Sequence, residues 1–215
     1  LEEEEEEDDD ESTECEEKNK DEGINVLSAD ELKEKVKKRI HSRRFRDYCN
    51  QIISKDIDEV CVSLLHEIVR FQDRLYHKNP SKLKMKRRYV MGLREVAKNL
   101  RLNKLKCVIL APNCERVQSK GGLDDAINEI VLNSMERNVP CVFALNRRRL
   151  GRALSKSVPV SVVGIIDYSG ADEHFKRLVE LVGDAKHAYQ EIVEECEKEE
   201  CKLLVDLQAA SSSQN

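Results

Sequence analysis

The chain has 215 residues, of which 37% are charged, 40% are hydrophobic and 4% are aromatic. This length suits one domain, or one domain with extensions. The longest apolar runs are far shorter than the roughly 18 residues that a membrane-spanning helix needs, so composition excludes such a helix and favours a soluble, helix-rich protein.

The formal net charge of −5 hides two segments of opposite sign. Residues 1–17 contain 13 acidic residues and no basic ones, which leaves 29 acidic and 37 basic residues in the rest of the chain. Between Lys78 and Lys106 there are 11 basic residues and a single acid, Glu95. This distribution predicts a polyanionic partner for the basic segment, or masking of that segment by the acidic one.

The pattern of the first part of the chain predicts an acidic segment followed by helices. Residues 1–27 are expected to be disordered, because like charges repel and few apolar groups can pack. A capping-box pattern that starts at Ser28 predicts a helix over residues 30–41. Further helices are predicted over residues 45–54 and over residues 56–77, where apolar residues recur at intervals of three and four.

Farther along, short apolar runs typical of buried strands alternate with helical patterns. Strands are predicted over residues 106–111, 140–145 and 158–166. Helices are predicted from Gly92 onward and over residues 123–138, 147–155 and 171–182, the last continuing through residues 191–207. The alternation predicts an α/β fold: a three-layer α-β-α sandwich around a small mixed sheet, mostly parallel, preceded by a helical extension.

Four parts follow from these elements. They are the disordered acidic segment 1–27, a helical basic extension over residues 28–81, a compact domain over residues 82–190, and a C-terminal helix with a disordered tail over residues 191–215. Because the chain begins with a leucine inside an acidic run, we expect it to be a fragment of a longer protein.

The helix that starts at Gly92 is predicted to have one cationic face. At 100° per residue, Arg94, Lys98 and Arg101 lie on one side and the apolar residues on the other. The N–H groups at such a helix start attract phosphate. The alternative is an ordinary solvated face, which the preceding cations, Arg87 among them, make less attractive.

Glu95 has two interpretations. It can be an intrahelical partner of Lys98 or Arg101, worth a few tenths of a kcal/mol. It can also accept hydrogen bonds from the N1–H and N2–H₂ donors of a guanine in a non-Watson–Crick pair. Spacing alone leaves both open.

Two further segments follow predicted strands. Residues 118–122 end in a glycine pair that lets the backbone approach a ligand closely. Residues 146–152 contain four arginines beyond a strand, where α/β folds bind ligands. The alternatives are a plain turn for the first segment and simple exposure for the arginines.

The sequence contains few features that are typical of an enzyme active site. Cys114 is the one thiol near a strand end, and no base motif accompanies it. The eight cysteines form no CxxC pair and the histidines no metal-ligand spacing, so we expect a reduced intracellular protein with no metal and no cofactor.

Three of these segments resemble the kink-turn-binding RNA proteins, which include ribosomal, nucleolar and spliceosomal particle proteins. Family members carry a Gly-x-Asn-Glu-x-x-Lys stretch at a helix start, matched here by residues 92–98. They also carry a Val-Pro-x-Val-Phe strand followed by a Leu-Gly turn helix, matched by residues 139–143 and 150–151. The resemblance covers about residues 85–185 and identifies residues 82–190 as a kink-turn-type RNA-binding domain.

Longer strings resemble the branch of this family that binds the selenocysteine insertion sequence (SECIS), and extend the likeness to about residues 40–190. The strings are residues 87–96, 118–125, 143–147 and 158–164. The resemblance implies binding of the SECIS stem-loop in the 3′ untranslated regions of selenoprotein mRNAs, in support of selenocysteine incorporation at UGA codons. It also implies the ribosome and the selenocysteine-specific elongation factor with its tRNA as partners, no membrane, and a cytoplasmic location with or without shuttling to the nucleus.

By the family pattern, Glu95 would read a guanine of the tandem sheared G·A pairs, while Gly92, Arg94 and Lys98 meet bases and backbone at the bend. Asn146, Arg147 and Leu150 would lie by an extruded nucleotide. The family's usual Asn is Arg94 here, so contacts at that position should differ, and residues 118–122 are expected to set specificity. The predicted RNA-binding residues are Arg87, Gly92, Leu93, Arg94, Glu95, Lys98, Arg101, Gln118, Ser119, Lys120, Gly121, Gly122, Asn146, Arg147, Leu150, Gly151 and Arg152.

Three alternatives remain. The chain can be a general kink-turn protein of a ribosomal or nucleolar particle. It can be an interaction module whose basic face binds an acidic protein or its own residues 1–17. Least favoured is a hydrolase or transferase that uses Cys114.

Overall fold

A computed structural model describes residues 29–78 and 86–212. These residues form six helices and four strands. The helices are α1 (Ala29–Ile40), α2 (Lys55–Lys78), α3 (Leu93–Arg101), α4 (Leu123–Glu136), α5 (Arg147–Ala153) and α6 (Asp172–Ser212). The strands are β1 (Tyr89–Met91), β2 (Cys107–Leu110), β3 (Cys141–Phe143) and β4 (Val162–Ile165). The acidic segment 1–27 lies outside the described residues.

The sheet has the strand order β1-β4-β2-β3. Only β2 and β3 pair in parallel, whereas β4 is antiparallel to both of its neighbours. The predicted α/β fold with a small mixed sheet is confirmed, but the expectation of mostly parallel strands was wrong. The reason is that α5 is seven residues long and contacts α2, so the chain does not cross back over the sheet before β4 begins.

The helices form the outer layers in two main pairs. α3 packs on α4, and α2 packs on α6, while α1 packs along α6. One core joins these helices to the sheet: Leu64, Leu65 and Ile68 of α2 are fully buried, as are Val108 and Ile109 of β2. The whole of α2 precedes the compact domain predicted from the sequence, residues 82–190, yet this helix supplies a share of that domain's core. No helix in the described ranges has the length and apolarity needed to cross a membrane.

Two local predictions were wrong. Residues 45–54 are not helical, because their polar side chains bond to backbone groups elsewhere in the fold instead of facing solvent along a helix. β1 was missed, since its three residues are too few to show an alternating pattern.

α6 is one continuous helix that passes residue 190 and reaches Ser212, so the predicted boundary at 190 and the start of the predicted tail lie within a helix.

Two helical glycines differ sharply in their surroundings. A Cβ atom on Gly151 of α5 would lie 2.4 Å from the backbone oxygen of Val158, because the chain entering β4 runs directly beside α5. A Cβ atom on Gly183 of α6 would have no atom of the described residues within 4 Å beyond its own helical neighbours. Gly151 is therefore required for packing, and Gly183 is not.

We expect Gly151→Ala to lower the free energy of unfolding by about 1–3 kcal/mol through overpacking against the backbone. Gly183→Ala, the matched control, should instead raise it by about 0.5–1 kcal/mol, since alanine has the higher helix propensity. Urea unfolding followed by circular dichroism measures both. Equal effects of the two substitutions would show that the contact between Gly151 and Val158 is not a constraint.

Candidate nucleic-acid interface

The strand register brings three predicted segments to one edge of the sheet. Met91 pairs with Val163, and Leu110 pairs with both Val162 and Phe143. The carboxyl ends of β1, β2 and β3 therefore lie together, beside the amino end of β4. The start of α3, the β2–α4 loop and the start of α5 all leave the sheet at this edge, which we call the interface edge.

The chain entering β4 ties the three segments together by backbone hydrogen bonds. The Gly92 N–H donates to the Val162 oxygen at 3.2 Å, and the Ala111 N–H donates to the Ser161 oxygen at 2.9 Å. The Val160 N–H donates to the Arg147 oxygen at 3.0 Å. Residues 160–162 thus fix the start of α3, the end of β2 and the start of α5 relative to one another.

α3 starts abruptly at the interface edge. Gly92 has φ 90° and ψ 145°, a conformation that glycine adopts readily and other residues rarely. None of the described side chains caps the helix, so the N–H groups of its first turn remain available to an anion. Leu93 is half-buried and packs against the core, while Val96 and Leu100 are fully buried. The apolar face predicted for this helix is confirmed.

The charged face of α3 carries a carboxylate that has no cationic partner in the described part of the chain. Arg94, Glu95 and Lys98 are exposed, and none of their side chains forms an ion pair there. Arg101 pairs with Glu129 of α4 instead. The interpretation of Glu95 as an intrahelical partner of Lys98 or Arg101 is therefore wrong, and its carboxylate is accessible to a ligand.

In the β2–α4 loop, the glycine pair builds a tight turn. The Gly122 N–H donates to the Ser119 oxygen at 2.7 Å, and the Gly121 N–H donates to Asp125 Oδ2 at 2.7 Å. A Cβ atom on Gly122 would lie 2.6 Å from that Ser119 oxygen, which excludes a side chain. Gln118, Ser119 and Lys120 are exposed on the outer side of this turn.

Two side chains from the segment before α2 hold the base of this loop. Arg46 is 7% exposed and donates to the Cys114 oxygen at 2.9 Å and to Asp124 Oδ1 at 3.0 Å. Burial disfavours its charge, but the hydrogen bond and charge of Asp124 outweigh burial and raise the pKa of Arg46. The Tyr48 hydroxyl donates to the Ala111 oxygen at 2.6 Å and accepts from the Cys114 N–H at 3.1 Å; burial, above all, raises its pKa.

Asn146 precedes α5, and its side-chain oxygen caps the helix by accepting from the Arg149 N–H at 2.8 Å. The Arg147 N–H donates to Asn113 Oδ1 at 3.0 Å, and its guanidinium pairs with Glu115 at 2.7 Å. These contacts join the start of α5 to the β2–α4 loop. Asn146 is exposed at the interface edge. It also has a structural role, because it caps α5.

The remaining predicted residues divide by position. Arg152 is exposed on α5, whereas Leu150 and Gly151 are buried and present no side chain at the surface. Arg87 precedes β1 and lies at the opposite edge of the sheet, and Arg101 lies at the far end of α3. The structure thus does not bring Arg87 or Arg101 to the interface edge.

One exposed cation was missing from the predicted set. Arg148 lies on α5 between Arg147 and Arg149, and it forms no ion pair with the described residues. The run of arginines after β3 marks its segment, but only the structure shows which of them are already paired: Arg147 with Glu115, and Arg149 with Asp58 of α2.

The thiol considered as a nucleophile is shielded. Cys114 is 2% exposed, and its sulfur lies 3.4 Å from the Ala111 oxygen. Of the other buried thiols, Cys141 has its pKa raised to about 12 by burial, which keeps it protonated near neutral pH. Within residues 29–78 and 86–212, no group of three or more His, Cys, Asp or Glu side chains could hold a metal ion.

Comparison with known proteins identifies relatives of this chain. Residues 75–175 match the ribosomal protein L7Ae/L30e/S12e/Gadd45 family. Selenocysteine insertion sequence-binding protein 2 of Rattus norvegicus is 56% identical over 162 residues, which are 75% of this chain and 19% of that protein. Selenocysteine insertion sequence-binding protein 2-like of Homo sapiens is 53% identical over 164 residues, 76% of this chain and 15% of that protein.

Among solved structures, the 15.5 kD RNA binding protein of Giardia lamblia is 20% identical, with a TM-score of 0.47, over 68% of this chain and 99% of that one. The chain spans less than a fifth of the length of the curated relatives it matches. The predicted resemblance is confirmed, and residues 75–175 form a domain of the ribosomal protein L7Ae/L30e/S12e/Gadd45 family.

Proposed function

We propose that this chain binds the SECIS stem-loop of selenoprotein mRNAs through the interface edge and so supports selenocysteine incorporation at UGA codons. The observation that carries the proposal is the Glu95 carboxylate, exposed and unpaired by the described residues at the open start of α3. The names of the relatives, which describe binding to the selenocysteine insertion sequence, support the same RNA as ligand.

The chemistry fits a non-Watson–Crick G·A pair. An ionised carboxylate only accepts hydrogen bonds, so Glu95 suits the N1–H and N2–H₂ edge of a guanine and is repelled by phosphate. Arg94 and Lys98 on the same helix, and Arg148 and Arg152 on α5, supply positive charge for the backbone around that pair. RNA is read in this way at splayed positions, while phosphate contacts provide salt-dependent affinity.

The position of Arg94 favours a SECIS core over a standard kink-turn. An arginine has five N–H donors and no acceptor, whereas the asparagine usual in the kink-turn family offers both. Arg94 is exposed beside Glu95, and no ion pair with the described residues restrains it. We therefore propose that Arg94 contacts phosphate or base acceptors, with residues 118–122 of the neighbouring loop adding specificity.

The remaining proposals concern partners, location and the absence of catalysis. We propose that this protein acts with the ribosome and with the selenocysteine-specific elongation factor carrying its tRNA. We place it in the cytoplasm, with or without shuttling to the nucleus. We propose a binding protein rather than an enzyme, and the burial of Cys114 supports this choice.

Replacing Glu95 should selectively weaken binding to RNA that contains the tandem G·A pairs. We expect Glu95→Ala to reduce affinity for a SECIS stem-loop by about tenfold to hundredfold, the size of one good base contact. Affinity for the same RNA with Watson–Crick pairs in place of G·A should change little. Filter binding at two salt concentrations measures both, with Glu173→Ala on α6 as the acidic control. Equal losses on the two RNAs would contradict base reading by Glu95.

Wild-type chain with equal affinity for both RNAs would contradict SECIS recognition as a whole, and a preference for a standard kink-turn RNA would favour a general kink-turn protein.

Replacing Lys98 should weaken all RNAs alike. We expect Lys98→Ala to reduce the slope of log affinity against log salt concentration by about one, because one phosphate contact is lost. Lys176→Ala is the matched control: it removes another exposed lysine, from α6, whose start lies past the carboxyl end of β4 and away from the interface edge. An unchanged slope for Lys98→Ala, or the same change for Lys176→Ala, would show that phosphates do not lie along α3.

A further inference from the structure

The segment from Arg46 to Asp58 lies outside the matched family domain, yet its buried polar side chains bond to the strand ends at the interface edge. Arg46 and Tyr48 hold the β2–α4 loop through the Cys114 and Ala111 oxygens. Gln51 and Asp58 do the same for the end of β3. Gln51 is fully buried and Asp58 is 8% exposed, so neither serves merely as a surface polar group.

Gln51 completes the hydrogen bonding of the edge strand. β3 is the last of the four strands that the described residues form, so none of these strands pairs with Phe143 on its outer side. The Gln51 amide donates to the Phe143 oxygen at 2.8 Å and accepts from the Phe143 N–H at 3.1 Å. This pair of bonds replaces a strand partner and sets where β3 ends.

Asp58 holds the two ends of the turn that follows. Its Oδ1 accepts from the Leu145 N–H at 2.8 Å, and its Oδ2 pairs with Arg149 Nη1 at 2.5 Å. Leu145 has φ 61°, a strained value for a residue with a branched side chain. Arg149 in turn donates its N–H to the Asn146 side chain. The Asp58 carboxylate thus fixes both Leu145, which precedes the cap residue Asn146, and Arg149, whose N–H bonds to the Asn146 side chain.

We propose that Asp58 is a positioning residue for the α5 half of the RNA interface, and that it acts through the Leu145–Arg149 turn on the placement of Arg147. The proposal rests on the proposed function, because Arg147 matters only if this edge binds RNA. Asp58 itself does not face the ligand, since both of its oxygens are engaged inside the protein. Residues outside the family domain therefore take part in setting the geometry of the interface.

A double-mutant cycle tests this role. We expect Asp58→Ala to weaken binding to a SECIS stem-loop by about tenfold, an ordinary coupling between groups linked by hydrogen bonds. In the Arg147→Ala background the same substitution should cost almost nothing more. In the Glu95→Ala background, which alters the other half of the interface, it should cost the full factor again.

Asp58→Asn guards against loss of folding in the alanine variant. Its side-chain oxygen still accepts from the Leu145 N–H, but the charge toward Arg149 is lost, so we expect a smaller loss of affinity than for Asp58→Ala. Asp73→Ala is the matched control, since Asp73 is exposed on the same helix and bonds to none of the described side chains; it should leave affinity unchanged. Thermal unfolding of every variant identifies a temperature at which all are folded.

Two outcomes would overturn the proposal. One is an Asp58 variant, folded at the temperature of the assay, that binds RNA as tightly as the wild type. The other is an equal factor of loss in the wild-type and Arg147→Ala backgrounds, which would mean a general packing role. Wild-type chain that binds G·A and Watson–Crick RNAs equally would instead contradict the proposed function and leave the cycle measurable on either RNA.

Discussion

Backbone groups at the ends of β2 and β3 are buried, and such groups must find hydrogen-bond partners. In this protein the partners are side chains from the segment before α2. The Tyr48 hydroxyl satisfies the Ala111 oxygen and the Cys114 N–H, while the Gln51 amide satisfies both backbone groups of Phe143. The placement of the loops at the interface edge depends on these bonds. The segment is consequently part of the fold, although it precedes the family domain.

The cationic side chains divide into those that stabilise the fold and those that remain exposed at the interface edge. Where cations serve the fold they are paired: Arg46 with Asp124, and Arg149 with Asp58. α1 follows this rule too, since Val36 is buried and Arg39 pairs with Glu199 of α6. Four exposed cations form no ion pair with the described residues: Arg94 and Lys98 of α3, and Arg148 and Arg152 of α5. Their field is available to a polyanion. A carboxylate in that field favours hydrogen-bond donors over phosphate, which is what discrimination between bases requires.

Local patterns predicted most helices well, because an amphipathic stripe needs only the residues of the helix itself. The apolar spacing along α2 and the basic stripe with its opposite apolar face on α3 are examples. The helix predicted over residues 45–54 was wrong because the conformation of this segment depends on residues outside it. Its polar side chains bond to Phe143, Ala111 and Cys114, which are distant in sequence, and no local pattern encodes those partners. The prediction of a mostly parallel sheet was wrong for a similar reason, since the direction of β4 depends on how α5 packs against α2.

The chemistry of the interface follows from the amino-acid sequence alone: a lone Glu95 among cations, a glycine at a helix start, and arginines after a strand. The motifs that carry the family resemblance are contiguous, so they could be read without coordinates. Which of these residues are accessible depends on the tertiary structure. It paired Arg101 with Glu129, buried Leu150 and separated Arg87 from the edge, because pairing, burial and distance depend on residues brought together by folding.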